Sequence, residues 1–201
     1  MNIFARGLTR SAARAAVVAV VAAGMSIPAA AGVKYSTQYR SYSVGGTTSK
    51  SLVSYMRSRP FHGDRGNAVA NIRPYYKLSV ATKTSGGKCR ASSVTLNIRF
   101  VMTLPKARSE SSMASSTRNA WRGFVAFAKQ HENTHKNIYV QCAHAFVAKA
   151  QRMSASSCVS LQASIRRQLE TDKRSCESKQ RAFDRRDSGR MSRLSLFRMA
   201  R

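Results

Sequence analysis

The chain is 201 residues long, with 35 Lys and Arg against 8 Asp and Glu and a formal charge of +27 at pH 7. Once an amino-terminal leader is set aside, about 170 residues remain, enough for one domain around a single core and too few for several. A balance this basic points to anionic partners.

Residues 1–31 read as a signal peptide. Arg6, Arg10 and Arg14 form a positive start, Ala15 to Met25 is apolar but too short to span a bilayer, and Ala29-Ala30-Ala31 offers a small-residue cleavage site before Gly32. Losing those three arginines lowers the charge from +27 to +24. No later stretch is apolar enough to cross a membrane, so the mature chain is expected to be exported, periplasmic or secreted. In that setting anionic envelope polymers, lipid head groups or acidic substrates are the expected partners, and nucleic acid is not.

Val33 to Val44 alternates Val33, Tyr35 and Tyr39 with polar residues, as a strand does. Gly45-Gly46 ends it. Thr47 or Thr48 then caps a short helix carrying Leu52, Val53 and Met56, which stops at Pro60. Phe61 to Asn67 is turn chemistry. Val69 to Thr84 and Lys88 to Leu104 are longer strands joined by Ser85-Gly86-Gly87, a β-hairpin; in the second, the even-numbered residues Val94 to Met102 form one apolar face. Pro105 to Ser115 is a polar loop.

From Ser116 to Met153 the sequence reads as one long amphipathic helix, capped by Ser116 or Thr117, with a stripe of Ala120, Trp121, Phe124, Phe127, Ala128, His131, His135, Ile138, Cys142 and Phe146. Within it stands Gln130-His131-Glu132-Asn133-Thr134-His135. Four steps of 100° nearly close a turn, so the two imidazoles stack on one face and can reach a single zinc ion, while Glu132 can take a proton from a water beside it. A second helix, about Val159 to Phe183, presents Leu161, Ile165 and Leu169 back to the first. Residues 185–201 form an Arg-rich tail, either disordered or an amphipathic surface segment. The expected fold is α+β and zincin-like: a small antiparallel sheet packed against the His-Glu-x-x-His helix and a second carboxy-terminal helix, spanning 32–184.

Cys89, Cys142, Cys158 and Cys176 all lie beyond the leader. In an exported chain they suggest two disulfides, with three pairings open. None of them has the spacing of a Cys-x-x-Cys metal site.

Taken together, Tyr42-Ser43-Val44-Gly45-Gly46-Thr47-Thr48, a Pro60 to Gly66 loop, Tyr75 to Thr82, Cys89 to Val94, Leu104-Pro105, and Trp121 ten residues before His131-Glu132-x-x-His135 resemble the bacterial family of predicted secreted zinc-dependent proteases, a domain of unknown function bearing this motif. That family carries an aromatic-Asp pair and then Thr-x-His-Gly near its carboxy-terminal end. Here the stretch is Phe183-Asp184-Arg185-Arg186-Asp187-Ser188-Gly189, so Asp184 and Gly189 match and Ser188 stands in the histidine's place.

Catalytic zinc keeps three protein ligands and a water. The resemblance makes Asp184 the first choice for the third ligand beside His131 and His135. Glu170, Glu177, Asp187, His144 and His62 are the alternatives, with His144 on the opposite helix face and His62 in a loop. Tyr139, one turn beyond His135, could stabilise an oxyanion. The expected function is zinc-dependent hydrolysis of a protein or peptide substrate with Glu132 as general base. Two other functions are open: a non-catalytic basic envelope-binding protein with a vestigial or structural metal site, and an amidase acting on peptidoglycan.

Overall fold

The computed structural model describes residues 32–64 and 66–201; the expected signal peptide, with its arginines and cleavage site, lies outside them. The chain order begins with β1 (Gly32–Val44), α1 (Ser49–Ser58), β2 (Phe61–Gly63) and β3 (Gly66–Ala68). β4 (Asn71–Ser85), β5 (Lys88–Ala107), α2 (Ser115–Ala150), β6 (Ser154–Ala155), α3 (Cys158–Asp187) and α4 (Ser195–Arg198) follow. No helix among the described residues is long and apolar enough to cross a membrane.

Period-two alternation decides the sheet. In β5, Val94, Leu96, Ile98, Phe100 and Met102 are all buried while Arg99 is exposed, so one face meets the core. Gly86 and Gly87 both take positive φ, +58° and +71°, which the tight turn between β4 and β5 requires and a side chain would resist. The strand order is β1-β5-β4, with β6 pairing with the start of β5. The expected antiparallel hairpin of β4 and β5 holds, and the two-residue β6 adds an antiparallel pair to β5, but β1 runs parallel to β5, so the sheet is mixed. The reason lies in the connection. Val44 pairs with Ala107 and Asn71 with Thr103, so β1 ends at the same end of the sheet where β4 starts, and α1 with the β2–β3 hairpin bridges that end. An antiparallel β1 would leave Val44 at the far end, about 50 Å away along a fifteen-residue strand.

α1 begins where expected. Thr48 accepts from the Ser51 backbone N–H at 3.1 Å, and the Ser51 hydroxyl accepts from the Thr48 backbone N–H at 3.0 Å. Gly46 precedes it at φ +117°, where a Cβ would come within 2.6 Å of Ser51. α2 differs at its start: Ala114 occupies the cap position without a side-chain bond, and Ser116 and Thr117 lie inside the first turn. Its buried line also differs from the expected stripe. Beyond His135 the residues facing the core are Tyr139, Ala143, Phe146, Val147 and Ala150, while Ile138 and Cys142 are partly buried. The helix is sandwiched between sheet and α3, and two adjacent rows of its side chains find cover.

The core divides into two clusters. The larger joins the inner face of β5 and β4 to the second half of α2 and to Leu161, Ile165 and Leu169 of α3. The smaller joins Val44, Leu52, Val53 and Met56 to Trp121, Phe124 and Leu196. Leu196 comes from the segment read as a basic tail. Arg185 to Asp187 complete α3, and the chain then returns through a 3-10 turn, Met191–Arg193, to set Leu196 at 0% exposure with Phe197 edge-on to Phe124. Two disulfides, Cys89–Cys158 and Cys142–Cys176, link sheet to α3 and α2 to α3.

Candidate metal centre

α2 and α3 run antiparallel, joined by residues 151–157 and clamped by Cys142–Cys176. Seven residues back from Cys142 along α2 stands His135; eight residues forward from Cys176 along α3 stands Asp184. At 1.5 Å per residue these paths are about equal, roughly 11 and 12 Å, so the clamp brings the two side chains opposite one another. His131 lies one turn further along α2.

Their donor atoms converge. His131 Nε2 and His135 Nε2 are 3.0 Å apart, and Asp184 Oδ1 lies 2.8 Å from His135 Nε2 and 3.4 Å from His131 Nε2. Tetrahedral zinc with bonds of about 2.0–2.1 Å sets its ligand atoms about 3.3 Å from each other, so the triangle has close to the size such an ion needs. These three residues form a group that could hold a metal ion.

The far side of each ring shows which nitrogen carries a proton. Gln180, wholly buried on α3, donates from Nε2 to the His135 backbone carbonyl at 3.1 Å, which turns its Oε1 toward His135 Nδ1 at 2.6 Å. An amide oxygen can only accept, so that Nδ1 is the donor. Asp187 Oδ2 accepts in the same way from His131 Nδ1 at 2.7 Å. In the uncharged rings both Nε2 atoms therefore present lone pairs toward Asp184. This is the tautomer a cation requires, held by an outer layer of partners. Burial pushes the Asp187 carboxyl up, but its bonds to His131 and to Arg190, at 2.8 Å, outweigh burial and leave it below the usual carboxylate range. Phe183 packs against both imidazoles, with ring centroids 4.8 and 4.9 Å away.

The cluster opens into a cleft of about 1230 Å³. α2 and α3 form one wall; Met56 and Arg57, the β2–β3 hairpin and residues 71–74 of β4 form the other. Five of the chain's eight acidic residues, Asp64, Glu132, Glu177, Asp184 and Asp187, line it, so a strongly basic protein concentrates its negative charge where a cation would sit. Glu132 is 5% exposed beside the histidines.

The structure thus brings His131, His135, Asp184 and Glu132 to one place and separates the remaining candidates. Asp187 holds a histidine from behind. Glu177 lines the cleft and accepts from the Tyr139 hydroxyl at 2.7 Å, while Glu170 pairs with Lys173 on the surface. His62 and His144 are exposed on β2 and α2. Ser188 lines the cleft, its hydroxyl donating back to the Arg185 carbonyl at 3.0 Å. Gln180 was not legible as a site residue. Its only signal is its place on the α3 face that also carries Cys176, Asp184 and Asp187, at steps of four, eight and eleven residues from Cys176.

One family model matches, over residues 39–190, described as a bacterial protein of unknown function (DUF922). No curated protein and no solved structure matches the chain.

Proposed function

The chain belongs to this bacterial family, DUF922, and from the cluster it carries we propose that it is an exported zinc-dependent hydrolase of amide bonds, a peptidase, with His131, His135 and Asp184 as ligands and Glu132 as general base. The observation that carries this reading is the convergence of His131 Nε2, His135 Nε2 and Asp184 Oδ1 with both Nδ1 atoms occupied from behind. Histidine with carboxylate is a donor set that suits zinc, and three protein ligands leave a position open. Two disulfides fit an oxidising compartment.

A bound zinc ion supplies a Lewis acid and lowers the pKa of a water to about 7. The rest falls to the chain. Glu132 follows His131 on the same helical turn, and its carboxylate takes the proton of the attacking water and returns it to the leaving amine. Gln180 and Asp187 keep both Nδ1 protons in place and the ring planes fixed. Phe183 restricts water around the rings. β4 is the edge strand of its sheet, and residues 71–74 line the cleft, so an extended peptide can lie alongside it with its backbone bonded to that edge.

The test pairs metal analysis with hydrolysis of casein. The wild type is expected to hold one zinc and to cleave casein. Glu132→Gln is expected to keep its zinc and lose activity by at least about a hundredfold. Cleavage of peptidoglycan in place of casein would make the enzyme an amidase, and full activity in Glu132→Gln would end the proposal.

A further inference from the structure

The sheet has a second face, and its chemistry differs from that of the cleft. The residues opposite the buried even positions of β5 stand in rows with their neighbours. Lys34 pairs with Asn97 and Asn97 with Lys77; Ser36 pairs with Arg99 and Arg99 with Tyr75. Paired residues share a face. Lys34, Ser36, Tyr75, Lys77 and Arg99 are exposed, and the segments 34–36, 75–77 and 97–99 surround a shallow hollow of about 460 Å³.

Three observations give this hollow a ligand chemistry. First, β1, β4 and β5 contain no acidic residue over their whole length, although they supply Lys34, Arg40, Arg73, Lys77, Lys83, Lys88, Arg90, Arg99 and Lys106. Among the described residues Lys34, Lys77 and Arg99 form no ion pair and are exposed; Arg99 donates to Gln38 Oε1 at 3.5 Å, a neutral partner that leaves its charge uncompensated. Second, the Arg99 guanidinium lies over the Tyr75 ring, 4.4 Å from its centroid, a cation–π stack that holds a charge and an aromatic ring together at the hollow. Third, between the cations stand short neutral groups, the Asn97 amide and the Ser36 hydroxyl, which can both donate and accept.

We propose that this outer sheet face binds an acidic polysaccharide, with Lys34, Lys77 and Arg99 on its carboxylates, Asn97 and Ser36 on its hydroxyls, and Tyr75 under a sugar ring. A lipid surface fits less well, because Tyr75 is the one large apolar side chain exposed in these rows and nothing there can wedge into a bilayer. A nucleic acid strand fits less well, because a single aromatic ring cannot stack successive bases. The site is independent of the metal centre, so binding persists in the presence of EDTA.

The experiment measures affinity of the full chain for polygalacturonate, in EDTA, beside single-stranded DNA and phosphatidylglycerol vesicles. The triple variant Lys34→Gln, Lys77→Gln, Arg99→Gln is expected to bind polygalacturonate at least about tenfold more weakly, and a charge-matched variant on α3, Arg166→Gln, Arg174→Gln, Arg181→Gln, to stay within about twofold of wild type. Equal losses in both variants would overturn the proposal, since the charge would then act without a site. Tighter binding of DNA or vesicles than of polygalacturonate, lost in the sheet variant, would overturn the choice of ligand. Asn97→Ala and Tyr75→Ala, which remove no charge, provide the second reading. Each is expected to weaken binding about threefold or more, and no change in both would overturn a built site.

Discussion

The two hydrophobic clusters sit at opposite ends of α2 and are held together by different means. Around Tyr139, Phe146 and Val147, packing on β5 and α3 is reinforced by Cys89–Cys158 and Cys142–Cys176. Around Trp121 and Phe124, packing on α1, Val44 and Leu196 stands without a covalent link among the described residues. His131, Glu132 and His135 occupy the length of α2 between the two. His131, His135 and Asp184 stand on α2 and α3, the two helices that Cys142–Cys176 locks in register. Of the residues lining the cleft around them, Met56 and Met191 belong to the half held by packing alone, whereas Ile72 of β4 belongs to the cross-linked one. The cross-link holds the two helices that carry the His131, His135 and Asp184 cluster, and the half held by packing contributes Met56 and Met191 to the cleft into which that cluster opens.

The largest effect is expected from unlinking the first half. Replacing Cys89 and Cys158 by serine opens a 69-residue loop and should cost about 4 kcal/mol on the chain-entropy account. Denaturant unfolding followed by far-ultraviolet circular dichroism measures it. The converse variant, Leu196→Ala, empties a wholly buried site in the other half at a cost of about 3 kcal/mol. Trp121 is the only tryptophan and lies in that cluster, so its fluorescence should change at lower denaturant than the dichroism does. Coincident transitions would show that the two clusters melt as one unit. Between the halves, Gln180→Ala frees His135 Nδ1 and should weaken zinc binding about 10- to 100-fold, read by competition with a chelating dye. The smallest effect is expected in alkali. Burial raises the Tyr42 pKa to about 12, above its ordinary 10. A raised folded-state pKa means the neutral phenol contributes stability fully below pH 10, and that contribution is lost as pH climbs through about 12. The packing-only half should therefore loosen over that interval, and Tyr42→Phe should flatten the pH dependence of the Trp121 signal.

What the sequence disclosed follows the range of the interactions. Local ones were legible: the alternation of Val94 to Met102, the Gly86-Gly87 turn, a cap at Thr47 or Thr48, and two imidazoles one helical turn apart. Interactions that join distant segments were not. The parallel pairing of β1 depends on where its connection leaves the sheet, and a strand pattern carries no direction. The disulfide partners depend on how α3 lies on α2. Gln180 acts on a residue 45 positions away, and its place one turn beyond Cys176 on α3 does not show which partner it meets. Asp184 was reachable through family resemblance alone, for the same reason. Leu196 was read with the scattered Leu, Phe and Met of an Arg-rich tail, disordered or lying on the surface, because apolar residues near a chain end look like surface until something is seen to lie beneath them.

The parallel register of β1 on β5 has a consequence for how the protein comes into being. Each residue of β1 pairs with one 63 positions later, from Gly32 with Thr95 to Val44 with Ala107. At synthesis rates of 5–20 residues per second, β1 emerges roughly 3 to 13 seconds before the strand it will join. During that wait its backbone has no ladder to enter, and Lys34 and Arg40 are what discourage it from pairing with another copy of itself. Neutralising those two positions should leave the finished fold intact while lowering the yield of chains that reach it.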